Sequence, residues 1–246
     1  FDIIVCCRLL EHCADLNKFV NLLNNLLAVD GSIIFEVPDS TKSLIQGDIA
    51  MLWEEHICYF TPESLRLELD SLGYILKDYI IYRYPQEDAI IGMFNRSNTS
   101  NNNKIKKNNI MPAGEAAINQ IYRNKLLFLI SEISKYLTKL KRTYGNIIIF
   151  GAGHRTIMFI NLLGISEYIL FVVDDDENKI KLKLPISNLE IKHSTEIMNY
   201  NIGVCLLSIN INSENKVINL LNSKTDKPIQ YYSISPDSEL HLPILG

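Results

Sequence analysis

An acid beside an imidazole is the most chemically suggestive feature of this chain. The stretch Leu52-Trp53-Glu54-Glu55-His56-Ile57-Cys58-Tyr59-Phe60 sets Glu55 next to His56 among three aromatic rings. Histidine titrates near neutrality, so it can take a proton from a carbon that a neighbouring carbonyl has made acidic. A carboxylate beside it can orient the ring for that task. The plainer reading makes Trp53, Tyr59 and Phe60 core aromatics and Glu54, Glu55 and His56 a solvated turn ahead of a capped helix. On these residues alone both readings stand.

A second histidine lies in Leu10-Glu11-His12, just past an apolar run. His12 would therefore sit at the carboxyl end of a strand, the edge where ligands bind in open α/β sheets. A loop histidine bonded to nearby backbone fits the same position. The third candidate is Gly151-Ala152-Gly153-His154-Arg155-Thr156, followed after the next apolar run by Asp174. Glycines between a strand and a helix let a phosphate approach the helix N-terminus, and His154 and Arg155 can add donors. As a dinucleotide fingerprint the run is incomplete, because Thr156 stands where Gly or Ala would allow close helix packing. A purely structural turn remains open, as does a mere strand stop at Asp174.

The elements that must position these residues follow from periodicity and punctuation. Residues 1–7 are short, β-branched and apolar, which predicts a strand buried on both faces of a parallel sheet. Residues 15–27 carry apolar side chains at helical spacing and are followed by a strand at 32–37 that Pro38 stops. Thr61-Pro62-Glu63-Ser64 starts a helix with Thr61 as N-cap and Ser64 at the capping-box position, and Gly73 ends it. Two strands at 74–82 and 89–94, joined by the turn Tyr84-Pro85-Gln86-Glu87-Asp88, should pair antiparallel at the sheet's edge. A polar Asn, Ser, Thr and Lys tract follows, too poor in apolar residues to bury a core, and marks a domain boundary. Beyond it a long amphipathic helix at 115–142 leads into alternating strands (146–150, 168–173, 203–209, 230–234) and helices (156–163, 213–221). That alternation predicts a doubly wound sheet.

Length and composition set the class. At 246 residues, two units are expected, and 47% hydrophobic with 21% charged residues is the profile of a globular α/β protein. A net charge of −4 gives no basic excess for nucleic acid, and no long apolar run suggests a membrane. The five cysteines (6, 7, 13, 58 and 205) lack paired metal-ligand spacing, so no metal site and a reducing cytoplasm are expected. The oligomeric state stays open.

Taken in order, three segments resemble the S-adenosylmethionine-dependent sugar C-methyltransferase family. They are Phe1-Asp2-Ile3-Ile4-Val5 through Leu10-Glu11-His12 to Pro38, then Glu55-His56-Ile57-Cys58-Tyr59-Phe60-Thr61-Pro62-Glu63-Ser64-Leu65 to Gly73-Tyr74, and Gly151-Ala152-Gly153 to Asp174-Asp175. Members of that family join a small zinc-binding domain, a central methyltransferase domain and a C-terminal Rossmann-like domain. The resemblance implies the C-terminal part of a class I methyltransferase sheet at 1–97, a polar linker at 98–114 and a second Rossmann-like domain at 115–246.

It also implies His56 as general base, Glu55 as its carboxylate neighbour and His12 lining the same pocket. Trp53, Tyr59, Gly151, Gly153, His154, Arg155 and Asp174 would contact a nucleotide-linked keto-sugar held between the domains. Trp53 departs from the tyrosine of well-studied members. S-adenosylmethionine is the implied cofactor, but the family's glycine-rich cofactor loop would lie upstream of Phe1. The chain is therefore expected to be N-terminally truncated and inactive alone, with zinc only in a domain outside it. Two other classes compete: an NAD(P)-dependent oxidoreductase with Asp174 on the ribose, and a non-catalytic nucleotide-sugar binding module.

Overall fold

The structure, a computed structural model, describes residues 1–53, 55–84, 87–97 and 113–245. Glu54, Pro85, Gln86 and most of the polar linker lie outside the described residues. The chain divides into two compact units, one of Phe1–Ile45 and Glu54–Ile121, the other of Gln46–Trp53 and Tyr122–Gly246.

In the first unit β1 (Ile3–Cys7) pairs parallel with β2 (Ser32–Pro38), and α1 (Leu16–Leu26) connects them. Asp15 caps α1 by accepting from the Lys18 amide at 3.0 Å. After β2 come α2 (Thr41–Gln46) and then α3 (Pro62–Ser71), followed by β3 (Tyr74–Arg83) and β4 (Asp88–Arg96), which pair antiparallel. The sheet order is β1-β2-β4-β3, so β4 lies between β2 and β3 and β3 is the edge expected for it. At the start of α3 Thr61 is the expected N-cap, and Ser64, standing where a capping box would want Glu, completes a reciprocal box with it. The core gathers Val20 and Leu23 of α1, Ile33 and Phe35 of β2, Leu65 and Leu69 of α3, and Tyr74 and Phe94.

One expectation is corrected here. β1 is a parallel strand, but among the described residues only one of its faces is covered. Cys6 belongs to the core and Ile4 packs against it, whereas Ile3 and Val5 are 60% and 57% exposed. A β-branched run reads the same whether one face or two are buried, so composition could not separate the cases.

The second unit holds a five-stranded, wholly parallel sheet in the order β7-β6-β5-β8-β9. Its strands are β5 (Asn146–Phe150), β6 (Ile169–Val173), β7 (Ile191–Lys192), β8 (Ile202–Leu207) and β9 (Gln230–Ser233). The chain starts in the middle with β5, runs outward to β7, then returns to β8 on the other side. This is a doubly wound α/β sheet, with its topological switch point between β5 and β8. The helix α4 (Ala113–Tyr144) buries Leu129, Ile133, Leu137 and Leu140 against Ile147, Ile149 and Val204. Each such side chain contributes roughly 1.5–3 kcal/mol when fully buried. The shorter helices are α5 (His154–Leu163) and α6 (Glu214–Asn222).

The segment Gln46–Trp53 belongs with this second unit, although a boundary drawn at residue 97 keeps it in the first. Its side chains explain why. Ile49 and Ala50 sit in the same core as Leu129 and Phe159, and buried Asp48 accepts two bonds from the Arg155 guanidinium at 3.2 and 2.9 Å.

Candidate functional site

At the carboxyl end of β1 the chain leaves the sheet through Arg8, whose φ is 51°, and makes a single 3-10 turn at Leu10–His12. The Glu11 carbonyl accepts from the amides of Ile57 and Cys58 at 2.8 and 3.1 Å. His12 Nδ1 lies 2.8 Å from the Glu55 carbonyl oxygen. Two residues beyond Cys58, Phe60 bridges to Asp39 beyond β2, and its carbonyl accepts from Ser40 N at 2.8 Å. The segment carrying His56 is thus stitched by backbone bonds across the carboxyl ends of β1 and β2, the edge where α/β sheets bind ligands.

These bonds bring the two histidines together. The His12 and His56 rings meet edge to face with centroids 4.8 Å apart, and Tyr59 lies 6.0 Å from His56 in a similar attitude. A carbonyl oxygen can only accept, so His12 donates from Nδ1; when the ring is neutral its Nε2 carries a lone pair. Glu55 serves this arrangement through its main-chain carbonyl, and its side chain is exposed.

The carboxylate among the rings belongs to Glu11. It is 1% exposed, and neither of its oxygens has a hydrogen-bond partner among the described residues. Ligand atoms of Glu11, His12 and His56 all lie within 4.8 Å of one another. Burial pushes the Glu11 carboxyl above its usual range, against the opposing pull of its own amide, His12 and Arg8. Sequence reasoning passed over Glu11. The available signal was its place in Leu10-Glu11-His12 at a strand's end, but spacing along the chain could not show that it is buried. Burial likewise holds the thiols of Cys13 and Cys58 above their ordinary value, so neither is a ready nucleophile.

The second candidate region is built at the carboxyl end of β5 within the second unit. Gly151 has a φ of 106°, and a Cβ there would stand 2.4 Å from the Ser208 carbonyl oxygen after β8. Its own carbonyl accepts from the Thr156 hydroxyl of α5, so Thr156 locks the turn to the helix where the dinucleotide fingerprint has a small residue. Gly153 is the N-cap of α5, and a Cβ there would meet nothing within 4 Å. Of the two glycines, one is demanded by the fold and the other leaves open space at a helix start.

Asp174 is fully engaged in holding that turn. Its Oδ2 accepts from Ala152 N at 2.8 Å and from Lys179 Nζ at 3.1 Å, and its Oδ1 accepts from Asp176 N at 3.0 Å. Burial would raise its carboxyl pKa, but the two amides and the Lys179 ammonium outweigh that and hold it below the usual carboxylate range. Trp53 stacks on His154, the rings 4.6 Å apart and 11° from parallel, and Arg155 is paired with Asp48. The structure therefore groups Trp53, His154 and Arg155 within the second unit, and His12, Glu55, His56 and Tyr59 within the first.

Residues 1–76 match the model of a methyltransferase domain, and residues 99–226 match that of a C-methyltransferase C-terminal domain. No curated protein matches the chain. Methyltransferase domains in general use S-adenosylmethionine, which calls for backbone a cofactor can approach closely. Of the first unit's described glycines, Gly31, Gly73 and Gly92 offer no such cradle beside β1. A Cβ on Gly31 would strike Leu27, one on Gly92 would strike Phe94, and Gly73 terminates α3.

Proposed function

The chain belongs to the C-methyltransferase family, and we propose that its acceptor is a nucleotide-linked keto-sugar from which His56 removes the proton α to the carbonyl. A saturated carbon has no lone pair to offer a methyl group. Breaking its C–H bond leaves the electron pair delocalised onto the carbonyl oxygen as an enolate, whose carbon is then the nucleophile, and the proton goes to an imidazole nitrogen of His56. The observation that carries this reading is the His12–His56 edge contact at the carboxyl end of β1, secured by the His12 bond to the Glu55 carbonyl.

Within this reading each residue has a distinct task. His56 accepts the proton, and His12 fixes the position of that ring while presenting Nε2. The exposed Glu55 carboxylate is available to orient His56 or a sugar hydroxyl. Tyr59 supplies an aromatic wall beside the base. In the second unit Gly153 leaves the start of α5 open to a phosphate group, with His154, Arg155 and Trp53 beside it.

Methyl transfer from labelled S-adenosylmethionine to keto-sugar nucleotides and to the same sugars reduced to alcohols tests the assignment. Label is expected on the carbon next to the carbonyl in the keto-sugars and is expected to be absent from the alcohols. Equal labelling of the alcohols on oxygen would replace the carbon acceptor with a hydroxyl. Retained sugar-nucleotide binding with no transfer would leave a binding module.

A further inference from the structure

We propose that Glu11, His12 and His56 form a binding site for a divalent transition-metal ion. Three features of the site argue for it together. First, each residue offers one ligand atom, and these lie within 4.8 Å of one another. Metal–ligand bonds of about 2.0–2.2 Å put tetrahedral ligands roughly 3.3–3.6 Å apart, so side-chain movements of about 1 Å close the set. Second, His12 already has the partner that metal-ligating histidines use. Its Nδ1 donates to the Glu55 carbonyl at 2.8 Å, which leaves the lone pair of the neutral ring on Nε2. Third, the Glu11 carboxylate is 1% exposed and neither oxygen has a hydrogen-bond partner among the described residues. A buried carboxylate without a donor is costly, and a cation between it and two imidazoles removes that cost.

The donor set selects the ion. Two imidazoles and one carboxylate suit Zn2+, Co2+ or Ni2+ over Mg2+ or Ca2+, which prefer oxygen ligands throughout. Three protein ligands also leave a coordination position open. An imidazole nitrogen bound to metal cannot accept a proton, so an ion here competes with the reaction and acts as an inhibitor. That consequence rests on His56 being the base; the binding itself does not.

The test is titration of the metal-free full chain with Co2+, followed through its visible absorption, and then displacement by Zn2+ followed by calorimetry. One ion per chain is expected, with Zn2+ affinity reduced about ten-fold or more in both His12→Ala and Glu11→Gln. Absence of one-to-one binding, or unchanged affinity in two variants that fold normally by circular dichroism, overturns the site. Glu11 is buried, so the His12 variant carries the decision if Glu11→Gln does not fold. In the methyl-transfer assay Zn2+ is expected to abolish turnover and a chelator to restore it. Binding without inhibition overturns the competition. If no acceptor is methylated at all, the reading of His56 fails while the titration still decides the metal site.

Discussion

Replacing His56 with alanine is expected to lower methyl transfer to a keto-sugar nucleotide by about 10²–10⁴-fold, the range that a positioned general base contributes. Binding of the sugar nucleotide is expected to stay within a few-fold, because the nucleotide is assigned to contacts elsewhere. The loss should therefore fall on kcat and leave KM nearly alone. The backbone on either side of His56 is held by main-chain bonds. Ile57 and Cys58 donate to the Glu11 carbonyl, and the Glu55 carbonyl accepts from His12, whichever residue stands between them. The variant should accordingly keep the thermal midpoint of the parent. His12→Ala separates positioning from chemistry. It removes the bond to Glu55 and the edge contact with His56, and a smaller loss of kcat is expected while the base itself is present. A His56→Ala protein with undiminished kcat on a carbon acceptor would remove the imidazole from the mechanism.

The second large effect concerns stability. Gly151→Ala is expected to lower the thermal midpoint by about 10 °C or more, and Gly153→Ala by about 2 °C or less. At Gly151 an L side chain must adopt a φ of 106°, at a cost of roughly 1–3 kcal/mol in backbone conformation alone. Its Cβ would in addition meet the Ser208 oxygen at 2.4 Å and Ile209 Cγ2 at 3.0 Å. The Ser208 oxygen is main chain following a buried strand, so relief requires β5 and β8 to separate. Gly153 has an ordinary φ and open space around its Cβ position, so alanine there strains nothing. If a phosphate approaches that point, Gly153→Ala weakens sugar-nucleotide binding in a protein that remains stably folded. Differential scanning calorimetry on both variants, with nucleotide-sugar titration of the second, reads the two effects separately. Equal midpoints for Gly151→Ala and Gly153→Ala would contradict the account of the turn.

The residues that local rules govern were legible in the sequence. The Thr61 cap, the pairing of β3 with β4 and the span of β5 all depend on neighbours a few positions away or on a single turn. The residues that tertiary packing governs were not. Nothing local says that β1 leaves Ile3 and Val5 uncovered, or that Asp48 finds Arg155 and draws Gln46–Trp53 into the other unit. Asp174 could be named from its place after a strand, but its bonds to Ala152, Asp176 and Lys179 could not be read from the sequence. The site followed the same division. His12 and His56 could be named from position and chemistry, whereas their approach and the burial of Glu11 between loops more than forty residues apart in sequence required the fold.

Proton removal from carbon is the central claim, and solvent exchange reads it without any methyl transfer. A keto-sugar nucleotide that the protein methylates is incubated with it in deuterium oxide, methyl donor withheld, and the hydrogen α to the carbonyl is followed by NMR. The parent protein is expected to wash that hydrogen out at a rate well above the buffer background, and His56→Ala is expected to match the background. Exchange by the variant as fast as by the parent would contradict the assignment of His56 as the base.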